Sequence, residues 1–155
     1  MVIAKWSRRP IDAAIVYGRR GWSVFPCHGV EGTRHRCGCG RPDCSSPGKH
    51  PIVGRGLHEA SLDPRQIAAW WRRWPEANVA IRTGDESGLV VIDVDPPAGL
   101  ESLVELERRH GKLAPTTTVQ TGSNGAHLYF RHPGGVRTGN RASSVLGPGI
   151  DVRGD

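Results

Sequence analysis

Two aspartates separated by one residue close an apolar run, Val90-Val91-Ile92-Asp93-Val94-Asp95. Alternate side chains of a β-strand share a face, so Asp93 and Asp95 would project together, about 7 Å apart. Carboxylates at the end of a buried strand repel one another unless a cation lies between them. A hard divalent ion such as Mg2+ or Mn2+ prefers oxygen ligands and supplies that charge. Paired ions of this kind clamp the attacking and leaving oxygens in phosphoryl transfer. An isolated Asp-x-Asp is also what two solvated carboxylates beside a turn look like, and Pro96-Pro97 makes such a turn. The apolar run favours the metal, because it fixes the carboxylates on a rigid element. A third carboxylate, Asp151 in Ile150-Asp151-Val152-Arg153, follows Gly147-Pro-Gly149. From a separate strand it would complete a metal triad; read alone it is equally a loop aspartate.

Thr121-Gly-Ser-Asn-Gly125 precedes Ala126-His127-Leu-Tyr-Phe130. Two glycines and Ser123 make a tight polar turn whose backbone N–H groups can approach a phosphate. His127 at the strand start can donate to a phosphate oxygen, or serve as a structural histidine. Cys37-Gly-Cys39-Gly-Arg-Pro-Asp-Cys44 leads to Gly48-Lys49-His50-Pro51. Three thiolates and an imidazole make a tetrahedral zinc site from Cys37, Cys39, Cys44 and His50. Cys27, His28 and His35 are rival ligands. No glutamate base neighbours the cluster, which makes the zinc structural. Lys49 could reach a nucleotide phosphate from the stapled loop, or be solvated. No Walker pattern is present.

These residues need elements to hold them. Residues 11–20 read as an amphipathic helix with Ala14, Ile15 and Tyr17 on one face and Gly21 as its stop. Residues 22–26 read as a strand. Residues 27–58 lack periodicity, and a loop of that length needs a staple such as zinc. Asp63 and Pro64 open a second helix as N-cap and N1, and it runs to Pro75. Its tryptophans, Trp70, Trp71 and Trp74, could stack bases; at helical spacing Trp70 and Trp74, with Ile67, are instead expected to build core. Strands are expected at 78–82, 89–94, 116–120, 126–131 and 150–153. The 89–94 strand is continuous and β-branched, as in a strand buried on both faces. A helix at 99–110 would turn Leu100, Leu103, Val104 and Leu106 inward, with Gly111 as its cap. The mixture predicts an α+β or α/β sheet domain.

Composition narrows the partners. Twenty-one Lys and Arg against fifteen Asp and Glu give a net charge of +6. Most of that basic charge is Arg, whose planar fork suits phosphate, so nucleic acid or nucleotides are favoured over neutral partners. No apolar run approaches the roughly 20 residues that span a bilayer. The N-terminal apolar stretch is too short for a signal peptide, so a cytoplasmic protein is expected. In that reducing compartment the four cysteines are not expected to form disulfides, and the three that fall within eight residues point to metal instead.

The segments, in order, resemble the bifunctional DNA primase/polymerase N-terminal (prim-pol) domain of the archaeo-eukaryotic primase superfamily. They are Gly21-Trp-Ser-Val-Phe-Pro26, Gly48-Lys-His-Pro51, Asn78-Val-Ala-Ile-Arg-Thr-Gly84, Val91-Ile-Asp-Val-Asp95, Gly122-Ser-Asn-Gly-Ala-His-Leu-Tyr-Phe130 and Gly149-Ile-Asp-Val-Arg-Gly154. The resemblance implies a domain over 11–155, with 1–10 as a tail and 27–58 as a zinc-binding insertion. It implies an RRM-like catalytic sheet packed with a smaller α/β module. It further implies template-dependent extension of a 3′-hydroxyl with nucleoside triphosphates, in plasmid, phage or mobile-element replication. Asp93, Asp95 and Asp151 would hold Mg2+ or Mn2+. His127 and Ser123 would bind the incoming nucleotide, with Lys49, Arg82 and Arg153 in matching segments. DNA template and primer, nucleotides and a helicase are the implied partners. The family pattern continues past the third aspartate, so the C-terminal part of that fold is expected to be missing from this sequence.

Overall fold

A computed structural model describes residues 9–32, 36–140 and 146–155. The chain divides into two units, one ending at Arg82 and one beginning at Thr83.

The first unit is built on a helix pair and a two-stranded sheet. Helix α1 (Pro10–Arg19) starts with Pro at N1, where the missing N–H costs nothing. Arg9 and Asp12 pair across its first turn at 3.1 Å. Strand β1 (Val24–Cys27) is buried along its whole length. Strands β2 (Val30–Glu31) and β3 (Arg36–Cys37) form a short antiparallel ladder in the region expected to lack periodicity. Helix α2 (Pro64–Arg73) opens as expected, with the Asp63 carboxylate accepting from the Arg65 N–H at 2.8 Å. Strand β4 (Asn78–Ile81) pairs antiparallel with β1, Val24 facing Ile81 and Cys27 facing Asn78.

Ala14, Val24, Phe25, Ile67, Trp70, Trp71 and Ala77 form the core of this unit. Trp70 and Trp71 are 7% and 3% exposed. The Trp71 Nε1 donates to the Ala77 carbonyl at 3.0 Å. Two of the three clustered tryptophans are therefore core and cannot stack bases. Trp74 packs against the edge of the cluster, with the Arg73 guanidinium 4.8 Å from its ring centroid.

The second unit is a four-stranded sheet with one long helix. Strand β5 (Leu89–Val94) is followed by helix α3 (Ala98–His110), strands β6 (Thr117–Gln120) and β7 (Ala126–Arg131), and strand β8 (Ile150–Arg153). The sheet order is β6-β7-β5-β8, with every neighbouring pair antiparallel. Strand β6 thus runs parallel to β5 with β7 between them, and α3 makes the crossover of a split βαβ unit. Helix α3 packs on the face that carries Ile92 and Ile150; an apolar cavity of about 340 Å³ remains there, lined also by Leu103, Leu106 and Phe130. Alternation sends Asp93, His127 and Asp151 to the other face.

Helix α3 lies differently from the expectation. Leu103 and Leu106 turn toward the sheet, but Leu100 and Val104 are 47% and 65% exposed. The cause is the buried Gly99. A Cβ there would lie 2.3 Å from the Gly149 carbonyl oxygen, so the helix rests its backbone against the turn before β8. That contact rolls the 99–103–106 line inward and the 100–104 line outward. Strand β5 is central as expected, but it achieves this in an antiparallel sheet. Leu89, Val91 and Val94 are buried and the residues between them half-buried.

The chain is therefore α+β, with three α-helices and small sheets among the described residues. Among the described residues, no helix is long and apolar enough to cross a membrane.

Candidate functional site

The first unit gathers one set of soft ligands. The ligand atoms of Cys37, Cys39, Cys44 and His50 all lie within 4.8 Å of one another. The Cys37 and Cys44 sulfurs stand 3.1 and 3.4 Å from the His50 Nε2. A tetrahedral zinc ion holds its ligand atoms about 3.5–3.8 Å apart, given its usual Zn–S and Zn–N bonds, so this donor set fits zinc in number and type and lies close to the required spacing. Local folding explains the convergence. Strand β3 places Cys37. The chain then returns along the free edge of β1, where the His28 N–H donates to the His50 carbonyl and the Ile52 N–H to the Pro26 carbonyl. The Asn78 side chain clips the loop to β4 by donating to the Gly48 carbonyl at 2.9 Å. Gly48 has φ +74°, and a Cβ there would press on the Val30 and Asn78 side chains at 3.0 and 3.1 Å.

Electrostatics suits a metal thiolate at Cys37. Burial raises its pKa, but the Gly48 and Cys39 N–H groups and the Cys39 and His50 side chains outweigh that and bring it down to about 6. The rival ligands separate. The Cys27 thiol points to the Lys49 carbonyl at 3.6 Å, and burial pushes its pKa up to about 11. That is the signature of an inert packed thiol. The His28 ring sits against the His50 ring, 4.6 Å between centroids. His35 lies outside the described residues.

The second unit builds a polar centre along one rung of its sheet. Asp93 on β5 faces His127 on β7 and Asp151 on β8. His127 Nε2 lies 3.2 Å from Asp93 Oδ1. The Arg153 Nη2 bridges both carboxylates, 3.2 Å from Asp93 Oδ2 and 2.8 Å from Asp151 Oδ2. Arg153 reaches them because it is two residues beyond Asp151 on the same face of β8. The two carboxylates offer oxygen donors suited to a hard cation, and a guanidinium already lies between them. Asp95 stands apart from this rung. Strand β5 ends at Val94, and the backbone of Asp95 is used in the turn: its N–H donates to the Gly149 carbonyl at 2.8 Å and its carbonyl accepts from Gly99 at 2.7 Å. Its side chain is exposed. Among the described residues, the three carboxylates are not gathered as tightly as the Cys/His quartet.

The remaining candidates fall in two places. Ser123 lies in the turn between β6 and β7, where its hydroxyl is 3.0 Å from that of Thr121. The Thr121 hydroxyl in turn accepts from the Gly125 N–H at 2.9 Å. Asn124 holds a left-handed φ of +63° there. Lys49 and Arg82 belong to the first unit, Lys49 exposed on the stapled loop and Arg82 half-buried just past β4.

Sequence reasoning missed one network entirely. The Asp155 carboxylate accepts from the N–H groups of Asp85 and Thr138 at 2.9 and 2.8 Å and lies 3.2 Å from His132 Nε2. The His132 side chain is 1% exposed, and its Nδ1 accepts from the Gly134 N–H. These bonds, with Thr83 Oγ1 donating to the Gly154 carbonyl, tie the end of β8 to two loops. The only sequence sign was a histidine directly after a strand.

No curated protein matches the chain. The family model of the bifunctional DNA primase/polymerase N-terminal domain matches residues 14–155, so the chain belongs to that primase/polymerase family.

Proposed function

We propose that this chain is a template-dependent nucleotidyltransferase that extends a 3′-hydroxyl with nucleoside triphosphates, in the cytoplasm and in the replication of plasmid, phage or other mobile DNA. Family membership supports the reaction class. The observation that carries the reading is the single rung that sets His127, Asp93 and Asp151 side by side across three strands. The β5-α3-β6-β7-β8 succession, in the order β6-β7-β5-β8, supports an RRM-like catalytic sheet.

In this reading Asp93 and Asp151, with Asp95 at the end of β5, hold Mg2+ or Mn2+. Bound there, the divalent charge activates the attacking oxygen and steadies the leaving one. His127 donates from Nε2 toward a phosphate oxygen, and the Asp93 carboxylate 3.2 Å away orients its ring. Ser123 and the backbone of its turn offer further donors to the phosphates. Lys49 and Arg82, both in the first unit, are further candidate contacts for nucleotide phosphates. Zinc at Cys37, Cys39, Cys44 and His50 is structural, holding the loop that carries Lys49. DNA template and primer are the macromolecular partners, with a helicase as a further one.

The test is primer extension by Asp93→Asn with Mg2+ or Mn2+. Loss of at least about 100-fold is expected, since the metal supplies several kcal/mol of charge stabilisation. Extension at the wild-type rate overturns the proposal.

One observation favours a second reading. Arg153 bridges Asp93 and Asp151 and offsets part of their charge, as it would in a non-catalytic zinc module that binds nucleic acid. Such a module binds DNA but shows no Mn2+-dependent nucleotide affinity. An affinity of that kind, lost in Asp95→Ala, excludes it.

A further inference from the structure

Asp93 and Asp151 are direct cross-strand partners, with side chains only 13% and 16% exposed. Like charges directly opposite one another on a sheet destabilise it. Arg153 relieves that repulsion, and how it does so is informative. Both contacts run through the same nitrogen. Neither is the parallel two-nitrogen fork that makes arginine–carboxylate pairs strong. The Arg153 side chain is itself 46% exposed, so the guanidinium has an open route away from the carboxylates. A charge held this way is a placeholder: sufficient to fold the rung, and weak enough to exchange.

We infer that Arg153 is a resident counter-cation that a divalent ion must displace from Asp93 and Asp151, and that a polyphosphate favours the exchange by accepting the released guanidinium. The inference rests on the metal-dependent reading given above. Its consequence is coupling: the ion binds weakly without nucleotide and more tightly with it, and by linkage the nucleotide gains the same factor. The enzyme would thereby avoid holding an ion in an empty site.

The experiment is a titration of the zinc-loaded protein with Mn2+, following free Mn2+ by electron paramagnetic resonance. It is run with and without a nucleoside triphosphate carrying a non-hydrolysable α,β-methylene bridge. In the wild type the analogue should tighten Mn2+ binding about tenfold or more. Arg153→Gln should bind Mn2+ about tenfold more tightly without nucleotide and lose most of the coupling. Arg153→Lys keeps the charge and should resemble the wild type. Unchanged or weaker Mn2+ binding by Arg153→Gln overturns the inference. So does equal tightening by Arg153→Lys, which would make the effect one of shape rather than charge. Asp93→Asn separates the two levels. If it binds Mn2+ as well as the wild type, the metal-site reading itself fails; if it loses Mn2+ while Arg153→Gln gains nothing, only the counter-cation fails.

Discussion

His127 and Trp71 show how differently single residues act in this protein. His127 is over a third exposed and its Nε2 points at Asp93. The proposed role of His127 as a hydrogen-bond donor to phosphate predicts that His127→Ala raises KM for the nucleotide more than it lowers kcat. Steady-state primer extension at varied nucleotide concentration checks this, and a pure kcat effect would assign it to chemistry instead. Trp71 is wholly structural. Its ring is buried, and its Nε1 satisfies the Ala77 carbonyl at the turn into β4. Trp71→Phe keeps most of the packing but strands that carbonyl, at a cost of about 1–3 kcal/mol in urea unfolding. The neighbouring Arg residues on α2 should tolerate change without such loss, because they are exposed.

At the scale of elements, three contacts decide where the chemistry-bearing side chains stand. The first is α3 against the turn before β8. Gly99→Ala introduces a Cβ where the Gly149 carbonyl now lies, so helix and turn must separate. Because Asp151 follows that turn, the substitution should weaken Mn2+ binding as well as lower thermal stability. An alanine variant that binds Mn2+ normally would show that β8 is held by its strand pairing alone. The second is the stapled loop. Cys44→Ser removes one of the four proposed zinc ligands, and the protein should lose stoichiometric zinc on metal analysis. Amide exchange should speed up across residues 36–51, since binding and ordering of such a site are one process. The third is the lock at the end of β8. The N–H groups of Asp85 and Thr138, helped by His132 and the Thr138 hydroxyl, hold the Asp155 carboxyl well below the usual range. A carboxyl whose pKa is lower folded than unfolded stabilises the fold above its unfolded pKa, and that contribution fades as pH falls through the folded value. The melting temperature of Asp155→Asn should therefore lie below the wild type near neutrality. The gap should shrink below about pH 4, where the unfolded carboxyl takes up its proton. A gap independent of pH would assign the loss to shape rather than charge.

At the scale of the whole molecule the charge is unevenly divided. The part up to Arg82 carries fourteen Lys and Arg against six Asp and Glu, while the part from Thr83 carries seven against nine. The net charge of +6 thus comes entirely from the first unit. The unit holding the carboxylates is mildly acidic. Phosphate neutralisation by Lys and Arg makes DNA affinity fall steeply with salt. The exposed pair Arg72 and Arg73, changed together to Glu, should weaken single-stranded DNA binding about tenfold in fluorescence anisotropy at 0.1 M salt. The same reversal of Arg108 and Arg109, which are already paired with Glu105, should have little effect. Equal losses from both pairs would show that net charge alone, rather than the basic unit, drives binding.

Much of this was determined by the sequence itself, where local physics suffices. The Asp63-Pro64 helix start, the central β-branched strand, the Ile150–Arg153 strand and the ligand-dense loop each carry their cause within a few neighbouring residues. The ordered motifs also sufficed to place the chain in its family. What the sequence left open was long-range. Nothing near Arg153 in the chain says that it bridges carboxylates 60 and 2 residues away; β8 pairing with β5 decides that. Nothing in the Asp-x-Asp pattern says that Asp95 falls just past the strand end, with its backbone used by the Gly149 and Gly99 turn. The hydrophobic period of α3 allows two inward faces, and only the close approach of Gly99 to Gly149 selects one. Strand register and backbone contact act between residues far apart in sequence. The Asp93 strand was therefore readable as a candidate carboxylate site, and the resemblance already named His127, Asp151 and Arg153 with it; the register of β5 against β7 and β8 is what sets those side chains beside Asp93.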